Sequence, residues 1–513
     1  MFRSAFTFIA LLFSFTNIFP QNSLDNLMYS YGTKFWSVKE YIYVQGRLCD
    51  SFPGELNNYF TEWKKPSSFK VKYEDQLDST DLTKHLNFFG PVKSYKYLSR
   101  FLPSAVTITP KGFSLGKYEF TDSLDAISLI TSEGNRRFQL GNSLSGVLTI
   151  WSTFADISQY IIMQKYAITH HGFLNNNSFD QTRHYDVASL RKQQLKNYES
   201  AYYSFHYDPA IFTSKQNMDS LFHNEDIKLV DVINRLKFPF PDRKIECYLY
   251  KDLEQKYYLS ATPGFGNPFP EAYQNHSVGF GPAEHESIHI LTGRCSTLFA
   301  EGLVGYYYST KDSMEWKKNN RLVSQHPDFA MKDFMLNSNN FDFSPLSYAA
   351  SAHLAVYLIN TYGLDKYKQM GRFDDNKRGS EEIYHQPLDS IVYGWNRFFL
   401  RNKYVLGPER EIKIKVIPIN IPDTSSICIA GDISQLGAWD PSKVKLIKQN
   451  DGGWTKTFHF AEGTILLYKI TRGSWDNEAL DDNGNVPPNS TLDVKVDETI
   501  IIKINKWKDQ ILN

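Results

Sequence analysis

Two histidines four residues apart, His285 and His289, enclose Glu286 in the pattern His-Glu-x-x-His. On a helix, residues four apart share a face, so both imidazoles reach one metal ion while Glu286 sits beside a metal-bound water. Zinc suits that ligand chemistry and lowers the pKa of its water towards about 7. Glu286 is then placed to accept a proton as the water attacks a carbonyl. The helix is predicted to start near Pro282-Ala283-Glu284 and to end at Thr292-Gly293. The next segment, Ser296 to Leu303, opens on good N-cap residues and puts Glu301 where a second helix returns to the metal.

The elements that must carry these residues are read from the flanking pattern. Lys244 to Tyr250 alternates as a strand, a glycine- and proline-rich loop covers Thr262 to Pro270, and Ser277 to Gly281 reads as a short strand directly before the motif. That strand is expected to pair with an extended substrate backbone by strand addition. From Ser347 to Tyr362, small and apolar residues recur at helical spacing and stop at Gly363. Residues 199–403 are therefore expected to form an α+β catalytic domain.

The pairing of His285-Glu286-x-x-His289 with Phe299-Ala300-Glu301-Gly302-Leu303 resembles the gluzincin metallopeptidases. The resemblance implies a zincin-like fold, Zn2+ as cofactor, His285, His289 and Glu301 as metal ligands, and Glu286 as general base. It implies Tyr348 as the further donor to the developing oxyanion. The activity it implies is that of a zinc metallopeptidase, an endopeptidase acting on a protein or peptide substrate. The alternative is a non-catalytic exported carbohydrate-binding or adhesion protein with an inactive zincin scaffold.

N-terminal to this lies a segment of different character. Strands at Tyr41–Gly46, Phe69–Tyr73, Asn87–Pro91, Ala126–Thr131 and Phe138–Asn142 alternate with possible helices, which predicts an α/β accessory domain over 23–165. Residues 166–198 read as a connector, with a helix expected from Arg191 to Glu199, and the polar neighbourhood of His170, His171 and His184 reads as solvated. Residues 1–20, with Arg3 before an apolar run, read as a signal peptide, and so predict a secreted or periplasmic protein. No stretch is long and apolar enough to span a membrane. With Lys+Arg and Asp+Glu both at 56, the formal net charge is +0, which argues against a nucleic-acid partner. Four cysteines, scattered as Cys49, Cys247, Cys295 and Cys428, do not describe a disulfide framework.

Beyond Pro408 the pattern becomes short alternating strands separated by turns such as Asn450-Asp451-Gly452-Gly453. That predicts an all-β immunoglobulin-like sandwich over 409–510. Gly431-Asp432 to Gly437-Ala438-Trp439, then Gly453-Trp454, Leu467-Tyr468-Lys469-Ile470, Gly473-Ser474-Trp475 and Asn505 to Asp509 follow one another in the order found in starch-binding domains, the family 20 carbohydrate-binding modules. The resemblance implies that Trp439 and Trp475 stack on glucose rings, that Lys469 bonds sugar hydroxyls, and that an α-glucan or other glycan is a partner. Packing within the core is the competing role for both tryptophans, and Trp454 is either a second-site or a core residue. The whole chain is thus expected to be multidomain: N-terminal α/β, central α+β zincin-like, C-terminal β-sandwich.

Overall fold

Val44, Leu86, Phe88, Phe138, Leu140, Leu129 and Ile162 stand at alternate positions of neighbouring strands, so one face of the N-terminal sheet is continuous apolar surface and must be covered. The computed structural model describes residues 41–47, 69–151, 158–212, 215–262, 265–280, 283–326, 329–336, 341–373, 375–419, 421, 425–482, 484 and 486–511. The signal-peptide reading of 1–20 lies outside them. The chain divides into two units, Gln21–Arg294 and Cys295–Asn513.

In the first unit, eight strands form a mixed sheet. They are β1 (Tyr41–Gln45), β2 (Phe69–Tyr73), β3 (His85–Pro91), β7 (Ala126–Ile130), β8 (Arg136–Gly141), β9 (Tyr160–Gln164), β10 (Ala167–Asn175) and β11 (Ser178–Asp186), in the order β11-β10-β9-β7-β8-β3-β1-β2. A small three-stranded sheet, β4 (Val106–Thr109), β5 (Gly112–Leu115) and β6 (Tyr118–Phe120), adds Phe113, Leu115 and Phe120 to the same core. Helix α1 (Leu144–Trp151) follows β8 directly. The segment 166–198 is no connector: it supplies the two nine-residue strands β10 and β11 at the sheet edge, then helix α2 (Val187–Gln194). The helix expected from Arg191 to Glu199 stops at Gln194, because Lys196–Glu199 becomes strand β12, paired antiparallel with β13 (Tyr203–Tyr207). His171 and His184 are buried, not solvated; His171 bonds Ser158 Oγ at 2.8 Å and Tyr258 O at 3.0 Å, and His184 bonds Tyr160 Oη at 2.9 Å.

A second sheet of the same unit has the order β12-β13-β14-β16-β15, with β14 (Ile245–Tyr250), β15 (Gly266–Phe269) and β16 (Gln274–Val278). Strands β13, β14 and β16 run parallel, and β12 and β15 are antiparallel edges. Helix α3 (Lys215–Leu236) packs Phe222, Leu229 and Ile233 on Phe205, Ile245, Cys247 and Leu249 of one face. Helix α4 (Leu253–Ser260) lies toward the other face, where Leu259 joins Tyr250 and Leu195. Helix α5 (Ala283–Thr292) carries the histidine motif.

The second unit begins with helices: α6 (Thr297–Lys311), α7 (Ser313–Ser324), α8 (Met331–Leu336), α9 (Pro345–Tyr362), α10 (Leu364–Met370), α11 (Asn376–Tyr384) and α12 (Leu388–Asn402). Their interior includes His353, caged by Trp316, Trp395, Phe398 and Phe399 and accepting a bond from Trp395 Nε1 at 3.1 Å. The sandwich follows in the same unit. One sheet orders β20-β21-β17-β25 from β17 (Glu409–Pro418), β20 (Ile447–Lys448), β21 (Trp454–Ala461) and β25 (Glu498–Ile504). The other orders β19-β18-β22-β24 from β18 (Cys428–Gly431), β19 (Val444–Lys445), β22 (Ile465–Thr471) and β24 (Ser490–Asp493). Their inner residues, among them Ile412, Val416, Ile429, Phe458, Leu466 and the fully buried Trp507, make one core. Helix α7 is bonded to the sandwich: Gln325, just past its end, pairs with both backbone groups of Ile465 at 2.9 and 3.0 Å, and Arg321 Nε donates to Gly463 O at 2.8 Å. Among the described residues no helix is long and apolar enough to cross a membrane.

Candidate functional sites

The tryptophan surface of the sandwich is built on strained backbone. After β18 the chain passes through Gly437 (φ 92°), Ala438 (φ 51°) and Trp439 (φ 64°). Only glycine enters that region freely, and for a bulky side chain it carries strain. The N–H of Trp439 closes the loop onto Gly431 O at 2.7 Å. Trp475 opens a short 3-10 turn, Trp475–Asn477, capped by Ser474, whose hydroxyl accepts from Asp476 N. The two indoles stand 6.5 Å apart at 43°, both only half-buried, so part of each ring remains available to a ligand. Lys469, opposite Ala430 across the β18–β22 ladder, bonds Glu478 Oε2 at 3.1 Å. Of the alternatives left open by the sequence, Trp454 belongs to the core: it is 8 % exposed and packs with Phe458 and Phe460. Sequence reasoning missed the buried carboxylate of Glu478, which sits between Lys469 and Lys508. Its burial depends on the pairing of β23 (Ala479–Leu480) with β26 (Lys506–Trp507), which no local pattern announces.

The histidine centre lies in the first unit. Helix α5 buries Ser287, Ile288 and Ile290, and Ser287 Oγ meets Tyr203 Oη of β13 at 2.9 Å. This fixes the rotation of the helix, and His285 and His289 share its other side with their Nε2 atoms 3.1 Å apart. Two nitrogens bound to one tetrahedral zinc at about 2.0–2.1 Å stand about 3.3–3.4 Å apart, so the pair fits such an ion with little movement. Ligand atoms of His285, Glu286 and His289 all fall within 4.8 Å of one another. Edge strand β15 passes alongside, and a Cβ at Gly266 would collide with Glu286 Oε1.

A lysine that the sequence did not single out shares this neighbourhood. Lys256 of α4 is fully buried, its ammonium donating to Thr262 Oγ1 at 3.0 Å and to Asn267 Oδ1 of β15. Burial holds its pKa down to about 7, against the pull of the Glu286 charge. The signal was hidden in the loop 262–270, which read as irregular; Pro268 within it is the mark of an edge strand. For the same reason the strand-addition expectation for Ser277–Gly281 is corrected. Strand β16 ends at Val278 and is flanked on both sides, by β14 and β15, so its ladder groups are already used.

Glu301 and Tyr348 belong to the second unit. Glu301 is buried on α6, which starts after Ser296, although the Ser296 hydroxyl makes no capping bond. Tyr348, in the first turns of α9, is 37 % exposed and packs edge-to-face on Phe341 at 5.2 Å.

Residues 410–495 match the family described as starch binding domain. The chain is 28 % identical over 95 residues to an alpha-amylase of Niallia circulans, covering 18 % of this chain and 7 % of that protein. It is 30 % identical over 144 residues to an amylopullulanase of Thermoanaerobacterium thermosulfurigenes, covering 25 % and 8 %. This chain therefore spans less than a tenth of the length of these relatives. Among solved structures, a family 15 glucoamylase from Hypocrea jecorina gives a TM-score of 0.16 at 17 % identity, covering 20 % of this chain and 18 % of that one. The family 20 module of a maltotetraose-forming amylase from Pseudomonas saccharophila gives 0.15 at 14 % identity, covering 18 % and 99 %. The C-terminal sandwich is a carbohydrate-binding module of the starch-binding kind. These matches overturn the expected zinc metallopeptidase: the curated relatives that match this chain are named alpha-amylase and amylopullulanase, and the gluzincin reading of 199–403, with Tyr348 as its oxyanion donor, receives no support from them.

Proposed function

We propose that this protein binds α-glucan through its C-terminal sandwich, with Trp439 and Trp475 as the stacking surface and Lys469 as a donor to sugar hydroxyls. The observation that carries the reading is the half-exposed indole pair, 6.5 Å apart, on a loop that forces Trp439 to a positive φ within the segment 410–495. Sugar rings present C–H faces that lie flat on aromatic rings, and a paired surface grips two consecutive units of a chain. The test is co-sedimentation with insoluble starch. Wild type pellets with the granules; the double variant Trp439→Ala, Trp475→Ala stays in the supernatant, and pelleting of that variant would defeat the reading.

A second reading rests on a separate observation, the 3.1 Å approach of the two Nε2 atoms. His285 and His289 hold a Zn2+ ion, with Glu286 beside it. Bound zinc supplies a Lewis acid and an acidified water. The chain orients the two imidazoles through the Ser287–Tyr203 bond and keeps Glu286 close under Gly266. Elemental mass spectrometry of zinc-replete protein reads one zinc per chain in wild type and none in His285→Ala; equal zinc in both would remove the site.

A further inference from the structure

The turn that presents Trp475 is closed on itself: Ser474 Oγ accepts from Asp476 N at 3.2 Å and donates to Asn477 Oδ1, Asn477 N donates to Ser474 O at 3.3 Å, and Arg472 N to Asn477 O at 3.0 Å. It follows Gly473, which stands at φ 95°. Those bonds shape the turn internally; its placement against the rest of the sandwich needs a grip from outside. That grip comes from the end of the chain. Strand β26 pairs with β23, so that Trp507 lies opposite Ala479, and the N–H of Lys508 donates to Glu478 O at 3.1 Å. The Lys508 ammonium then reaches under the turn. It donates to Trp475 O at 2.8 Å and to Glu478 Oε1 at 3.1 Å, while the other carboxylate oxygen takes Lys469 at 3.1 Å. Arg472 adds a second tether, bonded to Asp509 and lying 5.3 Å over the Trp507 ring.

We infer that Lys508 is a positioning residue for the glucan surface, fixing Trp475 through its carbonyl and Lys469 through Glu478; this rests on the glucan-binding reading above. Burial supports a directional role. Lys508 is 7 % and Glu478 3 % exposed. Buried ion pairs add little stability over apolar side chains of the same volume, so stability alone does not account for this one. What the triad supplies is direction, because its bonds reach Trp475 on one side and Lys469 on the other. Lys469 keeps donors to spare after its single bond to Glu478, and its side chain is 16 % exposed, enough to meet a hydroxyl at the rim.

The test uses the full-length protein and β-cyclodextrin as probe, titrated calorimetrically. Lys508→Met leaves Glu478 paired with Lys469 and removes the grip on the turn together with the bond to Glu478 Oε1. Binding is expected to weaken about tenfold, with the circular-dichroism couplet of the two indoles lost and the sandwich melting as in wild type. Lys508→Arg, which keeps a donor under the turn, is expected to restore most of both signals. A purely structural lysine would change melting and leave the couplet of the folded protein intact. Should Lys508→Met not fold, Glu478→Gln, of the same shape, carries the test: it frees Lys469 and is expected to weaken binding about threefold. Wild-type affinity in the folded variant overturns the inference and leaves glucan binding standing. Failure of wild type itself to bind removes the glucan-binding reading and this inference with it.

Discussion

The sandwich and the histidine centre are both short sequence signatures placed on ordered elements, yet they differ in what their residues determine. At the sandwich, five separated segments agree in order, and the fold brings Trp439 and Trp475 to one surface. At the histidine centre, five consecutive residues dictate their own geometry, because a helix puts positions four apart on one side whatever surrounds it. Local geometry of that kind determines a ligand pair and says nothing of the reaction. A constellation assembled from distant segments is harder to satisfy by chance, and so it speaks about function.

The largest effect expected in this comparison is on the sandwich core. Trp507→Ala removes a fully buried indole and is expected to destabilise the sandwich by about 3–5 kcal/mol. Glucan binding goes with it, while zinc content stays at the wild-type value. Loss of zinc in that variant would break the separation drawn between the two regions.

Acid is expected to divide them next. His171 of the first unit is buried, with its pKa lowered to about 4 by desolvation. The unfolded chain takes up this proton near pH 6.5, so the stabilisation is complete above that value and is lost as pH falls towards 4, on the order of 3 kcal/mol at the lower end. The sandwich carries a single histidine, His459, and it is exposed. Denaturant melts at pH 7.5, 5 and 4 should therefore show the first unit weakening while the sandwich transition shifts little. His171→Phe should remove its share of the dependence and leave that of the buried His184 and His276; equal acid sensitivity of both regions would contradict this account.

A smaller effect sharpens the histidine side. Gly266→Ala sets a Cβ against Glu286 Oε1, and the strand or the carboxylate must shift. Overpacking of this sort costs about 1–3 kcal/mol, and zinc affinity is expected to fall with it. Smallest is Trp439→Phe. It keeps an aromatic face of reduced area and is expected to weaken β-cyclodextrin about threefold, roughly 0.6 kcal/mol.

Much of this architecture is legible in the sequence. Strands β1, β2, β3, β7 and β8 and the helix over the histidines follow from local pattern, while the small sheet β4–β6 does not stand out in it. What escaped was decided at long range. Residues 167–186 look polar along β11 and still become paired edge strands, because β9 offers an open ladder. Lys256 is an ordinary helix residue until burial beside Asn267 and Thr262 makes it unusual. The peptidase expectation fails for a related reason: a spacing that satisfies zinc geometry does not determine the chemistry of one family.

Gln325 and Arg321 grip the backbone of the sandwich at Ile465 and Gly463 much as a neighbouring strand would. The sandwich is therefore no tethered float. It shares one rotational diffusion time with helix α7, and a glucan that captures the indole pair orients those helices as well. Cutting the chain near Pro408 would not release an independent module so much as expose Arg321 and Gln325 without their partners.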